Sequence, residues 1–191
     1  MKKIYDELVT LTESPLYNYR TSNGYVPVIG EGSLNAKILF VGEAPGKNEA
    51  ITGRPFCGAS GKVLDTMLQS VGLLRSDIFI TAVVKDRPPE NRDPTPKEIT
   101  LYSPFLDRQL EIIQPKVIVL LGRYAMNYIF EKAGIKDLLE PINKMHGKIF
   151  EGELSYGKVF LLPVYHPAYA LYNSNNKPGM MLDFLKLKKF I

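Results

Sequence analysis

Four short, almost wholly apolar runs, residues 38–41, 78–84, 117–121 and 159–164, constrain what this chain can fold into more than any other feature. Runs this short have no polar face, so they read as strands buried on both sides of a sheet. Between them, apolar residues recur at helical spacing. Val63, Leu64, Met67, Leu68 and Val71 mark one face of a helix that begins near Ala59 and stops at Gly72. Thr95, Pro96 and Glu98 form a capping box that opens a helix running to about Ile113. A third helix leaves Gly122 through Tyr124, Ala125, Tyr128 and Ile129 and ends near Gly134. Strands alternating with helices predict a three-layer α/β/α sandwich around a central, mainly parallel four-stranded sheet. A first helix over residues 2–11, a hairpin over 147–162 turning near Ser155-Tyr156-Gly157, and a last amphipathic helix over 180–191 complete the reading. The polar, Tyr-rich segment 16–35 is expected to carry no regular element. With 191 residues, 45% hydrophobic, and no repeat or linker, the chain is expected to be one domain, 1–191.

A parallel sheet presents its ligand site at the carboxyl ends of its strands. That rule gathers four segments at one rim: residues 42–46, 85–94, 122–123 and 166–171. The first holds a single carboxylate, Glu43, in a turn made by Ala44, Pro45 and Gly46, where the chain cannot continue as a strand. A second Gly/Pro-rich stretch, 53–56, runs into Gly58-Ala59-Ser60-Gly61, and together the two build a cleft. His166 follows the last apolar run, and Phe56 lies on the loop after the first. A carboxylate beside a histidine serves acid/base chemistry, and a loop aromatic offers a stacking surface to a planar ring. The other histidine, His146 in K-M-H-G-K, reads as a surface residue. Residues 85–96 contain four prolines and can only be an extended loop.

Several chemistries drop out. There is no G-x-x-x-x-G-K-[ST] loop, no H-E-x-x-H, and no G-x-G-x-x-G, so nucleotide hydrolysis and dinucleotide binding are not indicated. The one cysteine, Cys57, permits neither an internal disulfide nor a cysteine metal cage. No apolar run approaches the ~20 residues of a spanning helix and the N-terminus has no apolar signal core, so a soluble cytoplasmic protein is expected. Twenty-four basic against twenty acidic residues give +4, which permits a polyanionic partner without requiring one.

At this point the motifs carry a resemblance. V-G-E-A-P-G, then G-R-P-F-x-G-x-x-G-x-x-L, then V-V-K-x-R-P-P-x-N-R-x-P-T-P, then H-P-A-Y-A-L resemble, in order and along most of the chain, the successive motifs of family four of the uracil-DNA glycosylase superfamily. The resemblance implies an α/β/α fold and an enzyme that flips a uracil out of DNA and hydrolyses its N-glycosidic bond, leaving an abasic site; a monomer is expected. It implies that Glu43 positions or activates water and opposes the positive charge on the sugar. It implies that His166 donates to the base carbonyl as negative charge builds on the leaving ring, and that Asn91 of the proline-rich loop assists. The base slot would be lined by Gly42, Ala44, Glu49, Phe56 and position 82, with Phe56 stacking on the base. Ser60 and Lys62, at a helix start, suit a phosphate. Ala168, Leu171 and Tyr172 belong to the segment that pushes into the duplex, with Leu171 as an apolar wedge.

The chain departs from the family pattern twice. The family holds an iron-sulfur cluster on four cysteines, and the matching positions here are Leu11, Ser14, Asp86 and Tyr102, so no cluster and no other cofactor is expected. Leu11 and Tyr102 are expected to fill that space by packing. The asparagine expected to read the uracil edge is Ala82, which has no side-chain donor or acceptor. A site built on such hydrogen bonds discriminates by on the order of 10⁴, so the pocket here is expected to be roomier and to suit a bulkier, deaminated or otherwise modified base. No lysine is indicated beside Glu43 and His166, so water attack without strand cleavage is expected, and no metal is needed. A catalytically degenerate nucleic-acid-binding module of the same fold is the alternative reading, and an enzyme acting on free nucleosides or RNA is a third.

Overall fold

The computed structural model describes residues 1–191. Its helices, in chain order, are α1 (Lys2–Val9), α2 (Tyr17–Ser22), α3 (Lys47–Thr52), α4 (Ala59–Ser70), α5 (Pro96–Ile113), α6 (Arg123–Lys132), α7 (Ile142–Met145), α8 (Tyr169–Tyr172) and α9 (Lys177–Leu185). Its strands are β1 (Glu31–Gly32), β2 (Ile38–Gly42), β3 (Phe79–Ala82), β4 (Val117–Leu121), β5 (Phe150–Leu154) and β6 (Gly157–Val164). They form one sheet in the order β1-β3-β2-β4-β6-β5. The four central strands are parallel and are the four apolar runs of the sequence; β1 and β5 add antiparallel edges and widen the sheet to six.

Every residue of β2, β3 and β4 is buried. Alternate residues face opposite layers: Leu39, Val41, Ile118 and Leu120 pack with Leu106, Leu110, Met126 and Ile129, whereas Phe40, Val119 and Leu121 pack with Leu64, Met67, Leu68 and Phe184. Two apolar layers on one sheet give the sandwich, and burial of aliphatic and aromatic side chains is its main stabilising term, about 1.5–3 kcal/mol for each such side chain.

The capping box forms as expected: Thr95 Oγ1 accepts from Glu98 N at 3.3 Å and Glu98 Oε2 from Thr95 N at 2.8 Å. The hairpin also forms, with Leu154 opposite Gly157. Three details differ from expectation. The segment 16–35 contains α2 and β1, because Arg20 is drawn into the interior by a buried partner described below and Glu31–Gly32 pairs with β3. The last helix starts at Lys177, with Pro178 tolerated in its first turn, and tightens into a 3₁₀ turn after Leu185. The segment after His166 closes into the single turn α8.

Candidate active site

β2 ends at Gly42, and its in-register neighbour on β3 is Ala82. The backbone continues the pairing one step further, with Val83 and Val84 donating to the carbonyls of Gly42 and Glu43 at 3.0 Å each. Glu43 is therefore pinned at the rim by its main chain while its side chain is free. Burial, reinforced by the negative charge of Asp93 and opposed by Arg123, pushes its carboxyl up to about 7. No hydrogen bond from the protein offsets that shift.

Phe56 sits across the mouth of β2. Its backbone is left-handed, φ 49°, which is strained for a side chain of this kind. Three features hold it there. A Cβ on Gly42 would lie 2.9 Å from the Phe56 ring, and one on Gly61 only 1.7 Å from its carbonyl oxygen, so both glycines are needed for the close approach. Arg75 donates to the carbonyls of Pro55 and Phe56 at 3.0 and 2.5 Å and is braced by Asp65 at 2.7 Å. Glu49 Oε1 accepts from Cys57 N and Gly58 N at 3.0 and 3.1 Å, closing the same loop from below. Sequence reasoning did not single out Arg75: it lies in a polar turn, and only the fold brings it to the loop.

β6 delivers His166 to the opposite wall, its ring centroid 5.6 Å from that of Phe56. Burial lowers its pKa to about 4, against a weak opposing pull from Glu49, so the imidazole is neutral at physiological pH. Its Nδ1 accepts from Ala168 N at 3.2 Å. In a neutral ring that places the proton on Nε2, which makes Nε2–H a fixed donor.

Position 82 forms the floor and presents only a methyl group. Its carbonyl accepts from Lys85 Nζ at 2.6 Å, and the same nitrogen also donates to Thr81 Oγ1 and Gln109 Oε1, at 2.6 Å each. Lys85 is fully buried, and burial pulls its pKa far down. A lysine directly after two valines of an apolar run was the available signal for this residue. The proline-rich loop brings Asn91 over the floor.

These groups enclose one cavity of about 540 Å³. Of the residues singled out in the sequence, Glu43, Ala44, Glu49, Phe56, Ser60, Ala82, Asn91, His166, Ala168, Leu171 and Tyr172 line it. Gly42 lies beneath Phe56 instead of lining the cavity, and Lys62 is exposed outside it. The Lys62 backbone amide already donates to Gly58 O, whereas Ser60 sits in the first turn of α4, where amides have no intrahelical partner. Pro88 and Arg92, from the 85–94 segment expected at the rim, also line the cavity, and so does Val28, which was not anticipated. Leu171 is 49% and Tyr172 88% exposed, so Tyr172 stands almost free of its own domain and Leu171 is only half covered by it. His146 is half-buried and not a simple surface residue: its Nδ1 lies 2.8 Å from Asp183 and its ring 4.5 Å from that of Tyr165.

Residues 29–187 match the family model described as Uracil DNA glycosylase superfamily. The chain belongs to the uracil-DNA glycosylase superfamily. Within it, the chain is similar to proteins named type-4 uracil-DNA glycosylase: 46% identical to that of Sulfurisphaera tokodaii over 99% of this chain and 84% of the relative. It is 46% identical to that of Archaeoglobus fulgidus over 88% and 83%, and 38% identical to that of Thermotoga maritima over 100% and 94%.

For a uracil-DNA glycosylase superfamily member of this type, the four positions where cysteines would hold an iron-sulfur cluster decide whether such a group fits. Ser14 Oγ and the Tyr102 hydroxyl are 2.6 Å apart, and that hydroxyl donates to Asp86 Oδ2 at 2.6 Å. Arg20 adds two bonds to Asp86, at 2.9 and 3.2 Å, and two more to the carbonyls of Leu8 and Val9. Leu11 packs against the apolar cluster of Ile4, Leu8, Val84 and Tyr102. None of the four offers a thiolate, their polar atoms are spent on one another, and Cys57 is exposed on a different loop. The cluster does not fit here. The expected packing by Leu11 and Tyr102 is present, but most of the replacement is polar.

Proposed function

We propose that this chain is a monofunctional DNA glycosylase that hydrolyses the N-glycosidic bond of a flipped-out uracil, or of another deaminated or modified base, and leaves an abasic site. The observation that carries this reading is one cavity lined by the Glu43 carboxylate and by the His166 imidazole, whose Nδ1 is taken by the Ala168 amide so that Nε2–H is the free donor, beside Phe56.

In this reading the base slides against Phe56, and its carbonyl oxygen accepts from His166 Nε2. As the C1′–N bond breaks, electrons move onto the base and the sugar becomes cationic. The neutral donor stabilises the departing ring, and the carboxylate stabilises the sugar and takes a proton from the attacking water, whose hydroxyl ends on C1′. No lysine lines the cavity and Lys85 Nζ is sealed behind the floor, so an amine-linked intermediate and strand cleavage are not expected. Ser60 receives a phosphate, and Leu171 and Tyr172 fill the gap left by the flipped nucleotide. The methyl floor at Ala82 gives a wider substrate range than an amide would. The working form is a one-domain monomer in the cytoplasm, acting on DNA.

Purified protein incubated with oligonucleotides carrying uracil, hypoxanthine, xanthine or a bulky modified pyrimidine, followed by alkali, tests the reading. Alkali-dependent strand breaks at any of these bases support the enzyme. Binding without breaks would support a degenerate nucleic-acid-binding module, and release only from RNA or free nucleosides would move the substrate assignment.

A further inference from the structure

Asn91 reaches the cavity from a loop that is unusually constrained. Glu90 and Asn91 both adopt left-handed backbone, φ 54° and 55°; asparagine tolerates that state, but glutamate keeps it only where the surroundings impose it. The Asn91 amide is also oriented. Its Oδ1 accepts from Arg87 Nε at 2.7 Å. A guanidinium has donors only, so the amide cannot sit the other way round, and Nδ2 is the end left for the cavity.

Arg87 is held in its turn. Its Nη1 donates to the hydroxyls of Tyr19 and Tyr25 at 3.1 and 3.0 Å, and its guanidinium lies 6.0 and 5.5 Å from the centres of their rings. Tyr19 and Arg20 are neighbours on α2, and Asp86 and Arg87 are neighbours on the loop. The buried Arg20–Asp86 pair thus joins the same two segments one residue away from the Tyr19–Arg87 contact. Within the cavity wall Asn91 is the only residue with a side-chain amide, since position 82 is alanine with its carbonyl engaged by Lys85.

We infer that Arg87 is a positioning residue that locks Asn91 with its amide N–H₂ toward the bound base, and that the pocket thereby selects bases with a carbonyl oxygen on the edge facing the proline-rich loop. The inference rests on the base-release reading above. Two oriented donors, His166 Nε2–H and Asn91 Nδ2–H, suit deaminated bases such as uracil or xanthine. The exocyclic amine of cytosine or adenine on the same edge sets donor against donor, and the pocket rejects it.

Single-turnover release from duplexes containing uracil, xanthine, hypoxanthine or cytosine, with wild type, Arg87→Ala, Arg87→Lys, Asn91→Ala and the double variant Arg87→Ala/Asn91→Ala, tests this. Loss of one net hydrogen bond predicts a decrease of about tenfold on uracil for each alanine variant. The double variant is expected to be no slower than Asn91→Ala alone, because Arg87 acts through that amide. Arg87→Lys keeps a donor for Oδ1 and is expected to recover part of the rate, and uracil-over-cytosine selectivity is expected to fall in Arg87→Ala. Equal, additive losses on every base, with a lowered melting temperature and no rescue by lysine, would make Arg87 merely structural and overturn the inference while leaving base release intact. If Arg87→Ala does not fold, Arg87→Lys against Asn91→Ala decides: an unchanged selectivity in both overturns it. Wild type that releases no base removes the base-release reading, and this inference with it.

Discussion

Two places in this molecule gather ionisable groups inside the fold, and they are built on opposite terms. In the network of Ser14, Arg20, Asp86 and Tyr102, the charged pair is buried, and the Ser14 and Tyr102 hydroxyls, both Asp86 oxygens and both terminal nitrogens of Arg20 meet a partner at hydrogen-bond distance. At the rim, Glu43 has no hydrogen-bond partner from the protein and His166 only the Ala168 amide on Nδ1, and their pKa values move to about 7 and about 4. Burial raises the Asp86 carboxyl too, but there Tyr102 and Arg20 pull it back down. Desolvation with many partners holds the N-terminal segment to the proline-rich loop, whereas desolvation with few keeps a base and a neutral donor ready at neutral pH. Residues of the first kind should govern stability, and residues of the second kind turnover.

The comparison can be broken from either side. The largest effect is expected at Asp86. Asp86→Ala leaves Arg20 buried and unpaired and is expected to lower unfolding free energy by about 3–5 kcal/mol, read by urea denaturation. Next, His166→Ala should reduce base release by roughly 10²-fold while leaving the denaturation midpoint nearly unchanged, since it removes one donor aimed at the developing charge. The pH profile follows in size. Water activation needs ionised Glu43, so single-turnover release should rise about tenfold per pH unit below the Glu43 pKa of about 7 and level off above it.

The smallest effect has the opposite sign from Asp86. The folded-state pKa of Glu43 lies above its ordinary 4.5, so its contribution to stability is fully present below that ordinary value and is lost as pH rises through about 7. Glu43→Gln escapes that loss. After allowance for solvent screening, the variant should be more stable than wild type by ~1 kcal/mol at pH 8, or ~2–4 °C in Tm, and not at pH 4.5. A glutamine that destabilises at pH 8 would place Glu43 with the satisfied network. His166 runs the other way: its lowered pKa means that stability is lost as pH falls from its ordinary 6.5 through about 4.

What could be read from the residues alone divides along the same line. The four central strands and the Thr95–Glu98 cap were legible because their signals are local: uniform apolarity, and a hydroxyl three positions before a carboxylate. The convergence of Glu43, Phe56 and His166 was legible because Glu43 and His166 each follow a buried parallel strand and Phe56 lies in the Gly/Pro-rich stretch beyond the first of these. Helix α2 was not, since it is six residues long and is held by Arg20 reaching Asp86 across 66 positions of chain. The partnerships of Arg75 with the Phe56 loop and of His146 with Asp183 are likewise long-range, and no local pattern marks them. Leu171 and Tyr172 were singled out through the family motif that carries them, and their exposure could come only from the fold.

That the unpartnered carboxylate at the end of the first parallel strand does the chemistry is the proposal on which base release rests. It is tested most directly by measuring, on one uracil-containing duplex, both the single-turnover release rate and the equilibrium affinity of wild type and Glu43→Gln. The account predicts a release rate lower by roughly 10²–10⁴-fold with affinity nearly unchanged. Full release by the glutamine variant, or a loss of affinity as large as the loss of rate, would contradict it.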